Sequence, residues 1–175
     1  LQMQKITHQQ LLDWLKKEVT LSLGCTEPIA IAYAAAVAAK YLNAPILKIT
    51  GNISENLYKN AMGVTIPGTS YCGVTLAAAI GAIGGKADAD LEVLKDITAT
   101  QITEAYIFNE SGNVCLNAVD ATDFIFIDIT LYSLSDQCRV VIQGSHTNVT
   151  EVYINNIKQI LVRDLIAAND SGVLP

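Results

Sequence analysis

The feature that most restricts the fold of this chain is an unbroken apolar, alanine-rich stretch at residues 29–39. It is too short to cross a bilayer, which needs about 20 such residues. Small alanine side chains allow helices to approach closely, so we predict a helix over 27–42 packed inside a core. Asn43-Ala44-Pro45 ends this helix, because the residue before a proline avoids the helical region.

The composition narrows the class of protein and of partner. The chain has 175 residues, enough to bury roughly 70% of the surface that its unfolded form exposes. Its hydrophobic fraction is 51% and its mean hydropathy is +0.34. The formal net charge is -6, and Lys16-Lys17 is the only basic cluster, which argues against nucleic acid as a partner. We expect a small molecule or another protein, and no membrane.

The four cysteines, Cys25, Cys72, Cys115 and Cys138, are far apart in the sequence and form no C-x-x-C pair. This spacing is not that of a zinc ribbon or a thioredoxin-like motif, and at this chain length a disulfide scaffold is unnecessary. The first residues lack the basic and apolar regions of a secretory signal. We therefore expect reduced thiols and a cytoplasmic protein.

The order of helical and strand-like segments predicts an α+β fold. Apolar residues recur at helical spacing up to about residue 108, and a period of two dominates from about 113 to 163. Helices followed by strands indicate alanine-rich helices packed on one face of an antiparallel sheet. The predicted helices are 8–19, 27–42, 54–60, 72–83, 90–98 and 100–108, and the predicted strands are 46–53, 114–119, 124–132, 139–143, 150–154 and 157–162.

A thiol lies where the apolar helix begins, in the sequence Gly24-Cys25-Thr26-Glu27-Pro28. Thr26 suits the N-cap, and Pro28 suits the first turn because its missing N–H leaves no bond unmade. The positive end of the helix would favour the thiolate of Cys25, either as a nucleophile or as a metal ligand. The alternative is a small buried residue at a tight turn. Glu27 is either a base or simply favourable at a helix start.

Two further groups of polar residues could form a site. Asn56, Lys59 and Asn60 have the ammonium and amide donors that suit a carboxylate, although spacing alone favours an ordinary solvated helix face. His146 follows Gly144-Ser145 at a strand end and could contact a substrate or carry a proton, because its pKa lies near neutrality. A structural role for this histidine is the alternative.

Four stretches together resemble a known family. They are SLGCTEP at 22–28, SEN and KNAMGV with IPGT within 54–69, LAAAIGA with LEVL within 76–94, and HTN at 146–148. In this order they resemble the N-terminal part of the L-cysteine desulfidase family, which is related to the α-chain of bacterial iron-sulfur L-serine dehydratases.

The resemblance implies a lyase that needs no pyridoxal phosphate. Such an enzyme uses a [4Fe-4S] cluster to eliminate sulfide from L-cysteine or water from L-serine, which leaves pyruvate and ammonia. It implies that Cys25 is one of three cluster ligands and that an open iron activates the leaving group. A base, for which Glu27, Lys59 and His146 are candidates, takes the Cα proton. Thr26, Asn56, Lys59, Asn60, His146 and Asn148 are the candidate substrate-binding residues.

The chain also departs from the pattern of that family. The other two cluster cysteines belong to a C-terminal portion that this chain lacks, and Cys72, Cys115 and Cys138 do not match them. We expect these three to be ordinary small buried thiols. Residues 1–175 therefore represent one N-terminal domain or a fragment, inactive alone. The expected partners are the missing C-terminal half or a companion subunit, and possibly a homo-oligomer, given how apolar the chain is.

Two other functions remain open from the residues alone. One is a small-molecule-binding or regulatory module of the same fold that carries out no chemistry. The other is an enzyme that uses Cys25 as nucleophile with His146 as its base, for which the sequence offers no third, orienting residue.

Overall fold

A computed structural model describes residues 26–161 of the chain. The predicted helix at 8–19, the turn that bears Cys25 and the last predicted strand residue, 162, lie outside the described residues. The helices are α1 (Thr26–Leu42), α2 (Glu55–Met62), α3 (Val74–Gly84), a short 3-10 helix (Ala87–Glu92) and α4 (Ala99–Glu110). The strands are β1 (Lys48–Ser54), β2 (Val114–Val119), β3 (Phe126–Tyr132), β4 (Gln137–Gln143), β5 (Val149–Ile154) and β6 (Ile157–Lys158).

The strands form one six-stranded sheet in the order β2-β1-β3-β4-β5-β6. The pairs from β1–β3 to β5–β6 are antiparallel, while β1 and β2 are parallel. The fold is therefore α+β as predicted, but the sheet is mixed rather than purely antiparallel. The physical reason is the long connection through α2, α3 and α4, because a parallel neighbour needs a crossover of this kind.

The helices cover one face of the sheet, as the sequence predicts. Alternate strand residues such as Ile49, Ile53, Ile127 and Leu131 are fully buried beneath them. Residues between these positions point to the other face and are mostly polar. α1 packs over β3 and β4, while α3 packs against α1 and β2.

Small residues let α1 and α3 approach closely. A Cβ atom added at Gly81 would overlap the carbonyl oxygen of Ala32 and lie 2.5 Å from its Cα atom. One helical turn further along, a Cβ atom at Gly85 would lie 2.9 Å from the Cβ of Ala36. The alanine-rich composition of α1 therefore serves backbone-to-backbone packing, and its residues from Pro28 to Ala38 are all buried.

The predicted helix at 90–98 is wrong. The chain forms the 3-10 helix Ala87–Glu92 and then turns until Thr98. Asp90 has a φ of 48°, outside helical geometry. Burial and the neighbouring Asp90 carboxylate raise the pKa of Tyr33 in α1. Thr98 is extended and forms a capping box with Gln101, so α4 starts afresh at Ala99. The non-helical backbone of Asp90 and a strong cap thus override the helical periodicity.

The predicted hairpin around Asn155-Asn156 is confirmed. Both residues have positive φ, 49° and 66°, which asparagine tolerates better than most residues. Ile154 pairs with Ile157 across the turn. β6 is shorter than predicted and ends at Lys158.

Candidate ligand site at one end of the sheet

Two loops and the start of α2 meet at one end of the sheet, which we call the α2 end. β1 ends at Ser54 and leads directly into α2, while β3 begins at Phe126 beside it. Phe126 pairs with Gln143, the last residue of β4, so the loop at 144–148 belongs to the same end. The register of the sheet thus gathers segments that are far apart in sequence.

Hydrogen bonds tie these segments together. The buried hydroxyl of Ser54 donates to the carbonyl oxygen of Phe124 at 2.5 Å. The amide of Gly144 donates to the carbonyl oxygen of Ile125 at 3.0 Å. These hydrogen bonds between segments fix the shape of the α2 end.

The loop that bears His146 has its own internal bonds. Gly144 has a φ of 83°, a left-handed conformation that suits glycine. The Asn148 side-chain amide donates to the carbonyl oxygen of Gln143 at 2.9 Å, which closes the loop. The structure therefore places Asn148, a predicted substrate-binding residue, in a loop-shaping contact.

His146 is half-buried, and its Nε2 atom is enclosed without a hydrogen-bond partner among the described residues. Burial lowers the pKa of this imidazole below its usual 6.5, while the negative charge of Glu27 acts in the opposite direction. The lowered pKa favours the neutral form of the ring at pH 7. A buried polar atom without a partner is costly, and it marks a place where a ligand atom could bind.

The first turn of α1 lies within electrostatic reach of this histidine. Thr26 and Glu27 are partly buried, and Glu27 is the carboxylate whose charge acts on His146. α1 runs away from the α2 end, so its positive end points towards the site. The charge of Glu27 thus acts on His146, and the sequence singles out these two residues separately.

The polar residues of α2 occupy its exposed side. Asn56, Lys59 and Asn60 face solvent, whereas Leu57 and Ala61 are buried. The Nζ atom of Lys59 lies 3.6 Å from a carboxylate oxygen of Glu55, and the Lys59 side chain is 72% exposed. In this structure the three polar residues form a solvated face, which agrees with what their spacing alone indicates.

The cysteines are placed differently from one another. Cys138 is fully buried, and burial raises the pKa of its thiol to about 11. Cys72 and Cys115 are exposed, so the prediction that they are buried is wrong. Cys72 lies just before α3, and Cys115 points away from the helices at the edge of the sheet. Cys25 lies outside the described residues, so its pairing with His146 stays a prediction.

Within residues 26–161 no group of three or more histidine, cysteine, aspartate or glutamate side chains is placed to hold a metal ion. The two exposed thiols lie in separate elements, and the third is buried as a neutral thiol. The described donor set therefore does not fit an iron-sulfur cluster. No helix in this part of the chain is both long and apolar enough to cross a bilayer.

The face of the sheet opposite the described helices carries a polar groove that the sequence did not predict. Arg139 donates two hydrogen bonds to Asp128, at 2.8 and 2.7 Å, and these bonds raise the pKa of the guanidinium. The Arg139 guanidinium also lies 5.4 Å from the ring centre of Tyr153. Asn52 and Asn117 help to line this groove of about 270 Å³. Alternation of polar residues in strands β3 and β4 is the only local signal for it.

Several bacterial proteins are similar to most of this chain. The UPF0597 protein of Klebsiella pneumoniae subsp. pneumoniae is 54% identical over 148 residues, which are 85% of this chain and 35% of that protein. The UPF0597 protein of Photobacterium profundum is 44% identical over 146 residues, 83% of this chain and 34% of that protein. The UPF0597 protein of Yersinia enterocolitica serotype O:8 is 43% identical over 141 residues, which are 81% of this chain and 32% of that protein.

The chain thus spans about a third of the length of these curated relatives. No family model matches it, and no solved structure is similar to it at a significant level.

These comparisons correct the resemblance drawn from short motifs. Relatives at 43–54% identity are named UPF0597 proteins, not L-cysteine desulfidases or L-serine dehydratases. The predicted iron-sulfur lyase function, and the metal-binding and catabolic roles that came with it, are therefore wrong on this comparison. The motifs misled because they consist largely of helix caps, turn residues and small packing residues, which recur for structural reasons. The chain is similar to UPF0597 proteins, over about a third of their length.

Proposed function

We propose that this domain binds a small zwitterionic molecule of the amino-acid class at the α2 end of the sheet. The observation that carries the proposal is the enclosed Nε2 atom of His146, which has no hydrogen-bond partner among residues 26–161 and feels the charge of Glu27. The imidazole in the loop at 144–148 and the carboxylate at the start of α1 offer one neutral polar contact and one anionic contact to a ligand.

Glu27 supplies the group that an ammonium needs. A carboxylate accepts charge-assisted hydrogen bonds, which are about twice as strong as bonds between neutral groups. His146 can either donate or accept at Nε2, depending on the tautomer that the ligand selects. The pair therefore suits a ligand with an amino group next to a second polar group.

α2 supplies donors for a carboxylate. Lys59 is joined to Glu55 only by an exposed contact of 3.6 Å, and such surface pairs contribute about 0–1 kcal/mol. The lysine can therefore leave this contact to meet an anion at little cost. Asn56 and Asn60 lie on the same helix with exposed side chains that carry amide donors.

The length of the relatives supports a companion. The relatives are about three times as long as their matched region, so a further portion or subunit would enclose the ligand and contribute the rest of the binding surface. The cytoplasmic location is part of the same proposal, and the free thiols of Cys72, Cys115 and Cys138 support it.

The test is isothermal titration calorimetry of the 175-residue chain with glycine, L-alanine and L-serine, and with two analogues. Lactate lacks the ammonium group and ethanolamine lacks the carboxylate. We expect binding of the amino acids, no binding of either analogue, and a shift of the His146 ring signals in NMR spectra. Glu27→Gln should weaken binding at least tenfold by removing the charge that meets the ammonium.

Glu104→Gln is the matched control, because Glu104 is exposed on α4 and the same charge is lost there. This control should bind as the unmodified chain does. If lactate bound as well as the amino acids, or if both glutamate variants weakened binding equally, the assignment of Glu27 to the ammonium would be wrong.

A further inference from the structure

β2 forms one edge of the sheet, and no other described strand pairs with its outer side. The carbonyl oxygen of Asn113 accepts a hydrogen bond from the Ile49 amide at 2.8 Å, and Ile49 is in register with Val114. In a parallel ladder this register directs alternate residues of β2 towards β1. The amides and carbonyls of Val114, Leu116 and Ala118 therefore point outwards.

This edge lacks the features that usually prevent strands from pairing. The six residues Val114–Val119 include no charged side chain and no proline. Exposed edge strands in soluble proteins are commonly blocked by lysine, proline, bulges or short length. The opposite edge follows that rule, because β6 has only two residues and one of them is Lys158.

We propose that a second copy of this chain pairs with β2 in antiparallel orientation, about a two-fold axis at Leu116. In that register Leu116 of each copy exchanges both backbone hydrogen bonds with Leu116 of the other, and Val114 does the same with Ala118. Every outward-pointing backbone group of β2 is then satisfied on both copies. Such a self-complementary contact closes as a dimer.

The helices at this edge favour the same arrangement. α1 covers β3 and β4, α3 contacts β2, and α4 packs on α3, so α4 is the next helix on the side of the β2 edge. Its exposed residues include Tyr106 and Ile107, which are 40% and 60% accessible. A two-fold axis perpendicular to the sheet keeps the helices of both copies on one face. α4 of one copy therefore meets α4 of the other.

Charge and size agree with a reversible dimer. Each copy has a net charge of -6, but β2 itself contributes none of it, so like charges do not meet along the paired strands. A strand of six residues is about 20 Å long, and sheet plus helix layer is about 20 Å thick. The surfaces at the β2 edges of the two copies would together bury about 800 Å², which is less than the ~1,200–2,000 Å² buried in stable protein–protein interfaces. The dimer should therefore form in a concentration-dependent way.

The decisive experiment is disulfide trapping in the 175-residue chain. In the proposed register Cys115 lies opposite Asn117 of the other copy, as a pair without mutual hydrogen bonds and with Cα atoms about 4.5 Å apart. That spacing permits a disulfide. Asn117→Cys should form covalent dimers on mild oxidation, with peptide mapping that joins residue 117 of one copy to Cys115 of the other. Adding Cys115→Ser should abolish that link.

Sedimentation at several protein concentrations provides the second measurement. Ala118→Pro removes an outward donor without touching the bonds to β1, and proline is tolerated on an outer edge. We expect it to raise the dimer dissociation constant at least tenfold, and Ile107→Glu to act in the same direction. Leu134→Glu is the control, because Leu134 is 93% exposed in the β3–β4 turn.

Three results would overturn the proposal. The first is a monomer at every concentration together with no interchain disulfide in Asn117→Cys. The second is a dimer that Ala118→Pro leaves unchanged. The third is a disulfide that joins residue 117 to residue 117, because this requires a different register.

Discussion

The close contact between α1 and α3 yields a stability prediction for Gly81→Ala. The added methyl group would lie 2.5 Å from the Cα atom of Ala32 and would overlap its carbonyl oxygen. Ordinary contacts between such atoms are 3.5–4.0 Å long, so the two helices must separate by roughly 1 Å. Neither atom can rotate away, because both belong to the backbone of α1.

The expected magnitude combines two opposing effects. Overpacking of a core costs about 1–3 kcal/mol, and a clash with backbone belongs at the upper end of that range. Alanine is more favourable than glycine inside a helix by about 1 kcal/mol. The net loss in the free energy of unfolding should be about 2 kcal/mol. With an m-value of about 2 kcal/mol/M, the urea midpoint falls by about 1 M.

Urea unfolding followed by circular dichroism measures this shift, and Gly63→Ala is the matched control. Gly63 ends α2, and a Cβ atom there would meet nothing within 4 Å. Its substitution should change the midpoint little. Because the clash is with backbone, adding Ala32→Gly should not rescue Gly81→Ala. A Gly81→Ala chain at least as stable as the unmodified chain would refute the packing argument.

Two further predictions concern titratable groups. The pKa of His146 is lowered in the folded state, so near pH 6.5 the unfolded chain binds more protons than the folded chain does. The free energy of unfolding should therefore decrease as the pH falls through 6.5. His146→Gln should flatten this part of the plot of urea midpoint against pH. The buried Cys138 thiol has a pKa raised to about 11, whereas Cys72 and Cys115 are exposed. Iodoacetamide at pH 8 should therefore alkylate Cys72 and Cys115 in the native chain and Cys138 only after denaturation, as mass spectrometry would show.

Local sequence signals predicted the elements that depend on local chemistry. The Asn155-Asn156 turn was recognisable because asparagine tolerates positive φ between two strands. The helix at 27–42 was recognisable from its apolar length and from Pro45 beyond its end. Both features are decided within a few residues, and the structure confirms both.

Features that depend on distant neighbours could not be predicted in the same way. β1 and β2 are parallel partners from segments separated by three helices, and no local pattern encodes that pairing. The electrostatic effect of Glu27 on His146 has the same origin, because it links two residues that lie far apart in the sequence. The sequence alone indicated each of the two as a candidate site residue, but only the folded structure shows that one acts on the other.

The central position of β1 has a consequence for folding during synthesis. Both of its neighbours, β2 and β3, lie later in the chain, and β3 ends at Tyr132. Roughly 80 residues must therefore be added after Ser54 before both edges of β1 can pair, which takes about 4–16 s at common translation rates. During that interval the strand that contains Ile49 and Ile53 lacks at least one of its two partner strands. The apolar residues of β1 therefore stay exposed in the nascent chain until the later strands have been made.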